Sequence, residues 1–313
     1  MTLACGIDVG GTKIAGGVVD DTGTIIEELR VESPATDEDA IEQAIETLVT
    51  ELRTRHDIAA VGVGVAGYID RARSVVMFAA NMAVRHLDLK ADLQRRLDLP
   101  VFIENDANAA AWGEFQFGAG HDVEELLLVT VGTGIGGGVV LDGELYRGAF
   151  GVGAEIGHLR VVPDGLQCGC GNRGCFEMYA SGKALVRRAR AAASADPQAA
   201  ADLLARAGGD PARISGPLIT AAACEGDAFA LAQLAELGRW LGEGIASITA
   251  VLDPALVVIG GGVSAADDLL LGPIRQGFAA QRPGHGRRPM LEIRKAALGN
   301  RAGLIGAADL TRH

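Results

Sequence analysis

Cys168, Cys170 and Cys175 fall within eight residues, and Glu155 and His158 stand thirteen and ten positions before the first of them. Three thiolates and one imidazole form a closed tetrahedral donor set, which suits a structural Zn²⁺ and leaves no open position for a catalytic water. Glycines at 169, 171 and 174 free the backbone to wrap the sulfurs around one ion. The competing reading of the same spacing is three thiols near one another by chance, or a disulfide with one thiol to spare. A metal in this loop would also hold Glu155, His158 and Glu177 as hydrogen-bonding groups for a ligand. For the two acids the plain alternative is a solvated surface.

A second group is Glu104, Asn105 and Asp106, followed by Ala107, Asn108, Ala109 and Ala110. It lies where a short strand gives way to a helix, so Asp106 is expected at or near an N-cap, where the helix dipole favours its ionised form. Asn105 would orient a hydroxyl and Asp106 would accept its proton, with the alanines leaving room in front; simple helix capping is the alternative. A third group is the glycine hairpin Gly10, Gly11, Thr12 and Lys13, with Asp8 on the strand before it. Backbone N–H groups in such a turn form an anion-binding concavity, although Gly-Gly also makes ordinary hairpins. Further glycine turns at 132–134 and 260–262, each at a strand end, favour a nucleoside triphosphate. Phosphoryl transfer asks little of a protein beyond positioning and charge neutralisation. Asp142, Arg147 and Trp112 read as structural.

Three strings resemble nucleotide motifs without their context. Gly62 to Gly67 fits G-x-G-x-x-G, yet no helical stripe follows, and a dinucleotide turn must open a helix. Gly132 to Gly137 fails in the same way because a strand follows. Gly182-Lys183 is followed by Ala184, so no Walker A motif is present.

The elements that must position these groups alternate, which argues for an α/β layered chain. Leu3 to Val9, Ile14 to Asp20 and Thr24 to Glu32 read as three antiparallel strands. Thr36 to Arg55 carries Ile41, Ile45, Leu48 and Leu52 at helical spacing. A strand is expected over Ile58 to Ala66, a helix over Leu87 to Leu97, a short strand over Pro100 to Ile103, and a helix over Asp106 to Phe117. The pattern restarts after Gly118-Ala119-Gly120, with strands at Glu125 to Val131 and Gly138 to Leu141. Val129 to Gly134 echoes Ile7 to Thr12, which suggests an internal duplication and two similar lobes. Helices over 177–207, a long helix from Ala228 to Leu252, a strand from Ala255 to Ile259 and a helix from Ala265 complete the reading.

The chain has 313 residues, 49% of them hydrophobic, enough for two cores, and a formal charge of -12 disfavours a nucleic-acid surface. No leader pattern opens the sequence and no apolar run approaches a membrane span, so a cytoplasmic protein is expected. Cys5 and Cys224 read as small buried hydrophobes.

In order along the chain, Asp8 to Lys13, the run from Leu128 through Val139 to Gly153-Ala154-Glu155-Ile156-Gly157-His158, and Cys168 to Glu177 resemble the ROK family of bacterial sugar kinases and repressors. The resemblance is strongest to its actinobacterial-type glucokinases and covers essentially the whole chain. It implies an actin-like ATPase (ribonuclease H-like) fold, two α/β lobes with mixed sheets around a central cleft. Residues 1–118 would form the small lobe, joined by a C-terminal helix at about 300–313, and 119–299 the large lobe with the zinc loop. The resemblance further implies ATP, Mg²⁺ and structural Zn²⁺, and γ-phosphoryl transfer to the 6-hydroxyl of glucose with Asp106 as base. Gly67, Asn81, Asn105, Asp106, Glu155, His158 and Glu177 would contact the sugar. Asp8 would hold Mg²⁺ through water, Gly11, Thr12, Lys13, Thr133 and Gly134 would line the phosphates, and Gly261 and Gly262 the adenosine. His158, Cys168, Cys170 and Cys175 would bind zinc. A homo-oligomer, dimer or tetramer, is implied. A repressor is not expected, since the phosphate hairpin opens the sequence. Fructose, mannose or an N-acetylated amino sugar as acceptor, polyphosphate as donor, and sugar sensing without turnover stay open.

Overall fold

The computed structural model describes residues 2–34, 37–79, 84–284 and 287–313. Strands β1 (Leu3–Val9), β2 (Lys13–Val19) and β3 (Ile25–Glu32) pair antiparallel in sequence order. Helix α1 (Glu38–Arg53) opens behind Asp37, whose side chain accepts the Ala40 N–H, and buries Ile41, Ile45, Leu48 and Leu52. Then come β4 (Ile58–Val65), the short strands β5 (Tyr68–Ile69), β6 (Val76–Ala79) and β7 (Val84–Leu87), helix α2 (Leu89–Leu97), β8 (Val101–Asn105) and α3 (Asp106–Phe117). Leu87 ends β7 instead of opening α2, because Asp88 is the cap and accepts the Ala91 N–H. β4 runs parallel to both β1 and β8, giving a sheet in the order β3-β2-β1-β4-β8.

The remaining elements are β9 (Leu126–Val131), β10 (Ile135–Leu141), β11 (Glu144–Leu145), α4 (Glu177–Ala180), α5 (Gly182–Ala195), α6 (Ala201–Arg206), α7 (Gly216–Cys224), α8 (Ala228–Leu252), β12 (Leu256–Gly260), α9 (Asp268–Gln281), β13 (Glu292–Lys295) and α10 (Ala302–Asp309). The second sheet has the order β11-β10-β9-β12-β13. It repeats the first place for place: β10 and β11 are antiparallel like β2 and β3, and β12 and β13 parallel like β4 and β8. Ile7 to Thr12 and Val129 to Gly134 hold the same place in their sheets, the end of the central strand and the turn after it. Contacts divide the chain into two compact units, residues 1–128 with 137–154 and 297–313, and residues 129–136 with 155–296. Among the described residues, no single helix is long and apolar enough to cross a membrane.

The first unit has two unlike faces. Cys5, Ile7 and Val9 of β1 and Val61, Val63 and Val65 of β4 pack with α1 and α2 in one apolar core. The alternate positions of the same strands include Gly6 and Gly62, and α10 lies on them. A Cβ on Gly6 would stand 1.9 Å from the Leu304 carbonyl oxygen, and one on Gly62 only 1.7 Å from that of Ala307. α10 meets α3 just as closely: a Cβ on Gly306 would stand 1.8 Å from the Ala109 carbonyl oxygen. Gly62 therefore serves helix packing, and Gly67 leads into β5 rather than into a helix.

Gly62→Ala should lower stability by at least the ~1–3 kcal/mol typical of overpacking, read as a lower urea midpoint at unchanged slope. Gly272→Ala on α9, where a Cβ meets nothing within 4 Å, should leave the midpoint unchanged or raise it. Equal effects from the two substitutions would contradict the packing described.

Candidate functional site

In the first unit the parallel strands β1, β4 and β8 end side by side. Asp8 pairs with Gly64, Gly64 with Glu104, and Val65 with Asn105. In open α/β sheets ligands bind outside such carboxyl ends. The turn after β1 closes by a Gly10 N–H bond of 3.0 Å to the Lys13 carbonyl, and Thr12 and Lys13 are exposed. Asn105, not Asp106, is the N-cap of α3: its Oδ1 accepts the N–H groups of Ala107 at 2.9 Å and Asn108 at 3.0 Å. Its Nδ2 donates to the Gly67 carbonyl at 3.1 Å, which brings Gly67 and Asn105 together. Asp106 is thereby released from capping and stands as the first helical residue. Asn81 lies outside the described residues.

Two acids share this corner. Burial holds the Asp106 carboxyl above its ordinary value, against the lowering effect of the Ala107 N–H. Burial, and then the charge of Asp106, pushes the Asp8 carboxyl up to about 6. The first turn of α10 closes over both: a Cβ on Gly303 would stand 3.7 Å from Asp8 Cγ and 3.8 Å from the Asp106 carbonyl oxygen.

Glu104, which carried no role in the sequence reading, is almost fully buried and anchors the junction. Its Oε1 accepts the Asn105 N–H at 3.1 Å and Asn108 Nδ2 at 3.0 Å, and its Oε2 accepts Arg147 Nε at 2.6 Å. The sequence offered one signal, an acid directly after the apolar run Val101 to Ile103.

In the second unit the four expected metal ligands converge. One donor atom from each of His158, Cys168, Cys170 and Cys175 lies within 4.8 Å of all the others. Cys170 and Cys175 sulfurs are 3.6 Å apart, and Cys168 Sγ is 3.7 Å from His158 Nδ1. Ligands at tetrahedral Zn–S and Zn–N distances lie about 3.5–3.8 Å from one another, so the donor set fits that ion. The disulfide reading fails, since all the cysteines are free. Phe176, fully buried, seats the loop against α8, where a Cβ on Gly244 would stand 2.3 Å from its ring.

The same loop gathers the polar candidates. Glu177 Oε1 is 3.0 Å from Cys168 Sγ and 3.9 Å from His158 Nδ1, while Glu155 Oε2 is 4.0 Å from His158 Nε2. His158 thus turns Nδ1 to the thiols and Nε2 to Glu155. The turn after β9 abuts this cluster, for a Cβ on Gly134 would stand 2.7 Å from Glu177 Oε2. α5 begins there too, its Gly182 N–H donating to the Gly132 carbonyl at 2.9 Å. Beside the turn opens a cavity of about 1080 Å³, lined by Thr133, Lys183, Val186, Arg187, Pro217, Ala221, Gly262 and Val263. Gly261 presses on the Val131 backbone in a left-handed conformation, φ 82°, that only glycine adopts freely. Lys183 and Arg187 were passed over in the sequence; their i,i+4 spacing puts both on one face of α5.

The ROK family model matches residues 4–313. The chain is 49% identical over 312 residues to a glucokinase of Streptomyces coelicolor, covering 100% of this chain and 98% of that protein. The crystal structure of a ROK family glucokinase from Streptomyces griseus in complex with glucose and AMPPNP is 49% identical, with a TM-score of 0.92 over 99% of both chains. The ROK hexokinase of Thermus thermophilus is 34% identical, with a TM-score of 0.78 over 99% of this chain and 98% of that one.

Because the Asp8 carboxyl titrates near 6 in the folded chain and near 4 when unfolded, its burial costs stability as pH rises through that window. Asp8→Asn should gain on the wild type from about pH 4 to 6 and stay level above, by on the order of 1 to 2 kcal/mol after solvent screening. Superimposable stability curves from denaturant melts across that range would rule out the strained charge.

Proposed function

This chain belongs to the ROK family, and we propose that it transfers the γ-phosphoryl group of ATP to the 6-hydroxyl of glucose, giving glucose 6-phosphate. Its mixed α/β architecture is the actin-like ATPase fold of the ROK sugar kinases it matches. The observation that carries the reading is Asp106, a carboxyl released from capping at the start of α3 and held above its ordinary pKa by burial. An acid tuned upward is suited to take a proton near neutral pH.

Asp106 accepts the proton of the attacking hydroxyl. Asn105, with one amide hydrogen committed to Gly67, has the other for the sugar. Glu155, His158 and Glu177 receive sugar hydroxyls, their positions set by the thiol loop. The turns at Gly11, Thr12, Lys13 and at Thr133, Gly134 offer N–H groups to the phosphates. The apolar cavity beside Gly261 and Gly262 takes the adenosine, with Lys183 and Arg187 at its edge. Asp8 would hold Mg²⁺ through water, and the ion would neutralise charge on the phosphate oxygens; two neighbouring carboxylates, one raised to about 6, form the charge pattern a divalent cation relieves. His158, Cys168, Cys170 and Cys175 would hold one Zn²⁺ as scaffold. By the same family reasoning the enzyme works as a homo-oligomer, and the expected setting is the cytoplasm.

Asp106→Asn should cut kcat by a factor on the order of 10² to 10⁴, the usual worth of a general base, while glucose affinity stays near wild type and the thermal midpoint does not fall. A variant that kept most of its turnover would remove Asp106 from this role. Native mass spectrometry should find about one zinc per chain, and Cys170→Ser should lose both the metal and most glucose affinity. A metal-free chain that binds glucose normally would separate the loop from the sugar.

A further inference from the structure

A cavity of about 530 Å³ in the first unit carries a charge pattern that none of the roles above uses; its lining includes Arg71, Arg73, Glu144, Tyr146, Arg147 and Ala149. Arg71 is exposed, with Nη1 3.4 Å from the Ala149 carbonyl. Arg147 commits Nε to Glu104 at 2.6 Å. Arg73 is the unsettled one. Its Nη2 donates to the Leu310 carbonyl at 3.3 Å, but its Nε is buried without a hydrogen-bond partner, 3.7 Å from Glu104 Oε2, within ion-pair range yet beyond a hydrogen bond. Glu104, already bonded to Arg147, faces two guanidinium groups, and with Glu144 in the lining three arginines stand against two carboxylates. Burial and then the Arg147 charge lower the pKa of Arg73, against the raising effect of Glu104. Orphaned buried donors are costly, and planar guanidinium forks match phosphate oxygens in pairs.

We propose that this pocket binds a small, multiply charged phosphate anion between Arg71, Arg73 and Arg147. The oxyanion could come from inorganic phosphates or from a phosphate ester, and the two are separable by probe. Inorganic pyrophosphate and glycerol 2-phosphate would each be titrated calorimetrically into the full chain, without Mg²⁺ and with glucose and AMPPNP in saturating excess. The expected result is one pyrophosphate per chain, bound at least tenfold more weakly by Arg71→Ala and not measurably by Arg71→Glu, both variants melting like wild type. Binding of glycerol 2-phosphate with the same dependence on Arg71 would assign the site to esters as well. No saturable heat with either probe, or binding indifferent to both Arg71 substitutions, would overturn the proposal.

Discussion

The backbone of α10 rests directly on the backbones of β1, β4 and α3, and the arrangement of the first unit depends on that approach. Gly6, Gly62, Gly113 and Gly306 are the positions where any side chain would collide with a carbonyl or N–H group across the seam. A seam without side chains is short-range and stiff, since close-packed interiors tolerate little added volume. It sets the strand ends carrying Asp8 and Asn105 against the start of α3. The first turn of α10 then stands beside the Asp8 carboxyl and the Asp106 backbone, at a corner where burial raises both carboxyl pKa values.

A second constraint is the single carboxylate of Glu104. It satisfies a strand-end N–H, a helix side chain and an arginine from the segment after β11, all within hydrogen-bonding distance. Such complete pairing offsets the cost of burying a charged group. These bonds fix the backbone step at which Asn105 caps α3. In the second unit the thiol loop, Glu177 and the turn at Gly134 are locked together in a comparable way.

Much of this was legible in the sequence where the signal is local. Periodicity placed α1 and α8, and α3 spans the expected Asp106 to Phe117. The six-residue echo between Ile7 and Val129 marked two sheets of the same strand order. The cysteine spacing brought four donors together because glycines left the chain free to close within a few residues. What escaped depends on partners far along the chain. Gly62 looked like part of a nucleotide motif because its true neighbour, Ala307, is 245 positions away. Glu104 was silent because Arg147, read as structural, gives it meaning only in space. The cap was expected at or near Asp106 and falls on its neighbour Asn105, since Asn and Asp are both good caps and only backbone angles distinguish them.

The placement of α10 has a consequence for how the protein is made. Synthesis runs from the N-terminus, so β1, β4 and α3 leave the ribosome long before residues 302–309 exist. Residues 129–136 and 155–296 can assemble while the older part of the chain still waits for α10. The glycine-lined face of the first sheet is bare during that interval, and a bare sheet face in a slow-folding chain invites wrong partners. The nascent chain should therefore lean on chaperones until residues 302–309 have emerged, with the unit begun first completed only when they arrive.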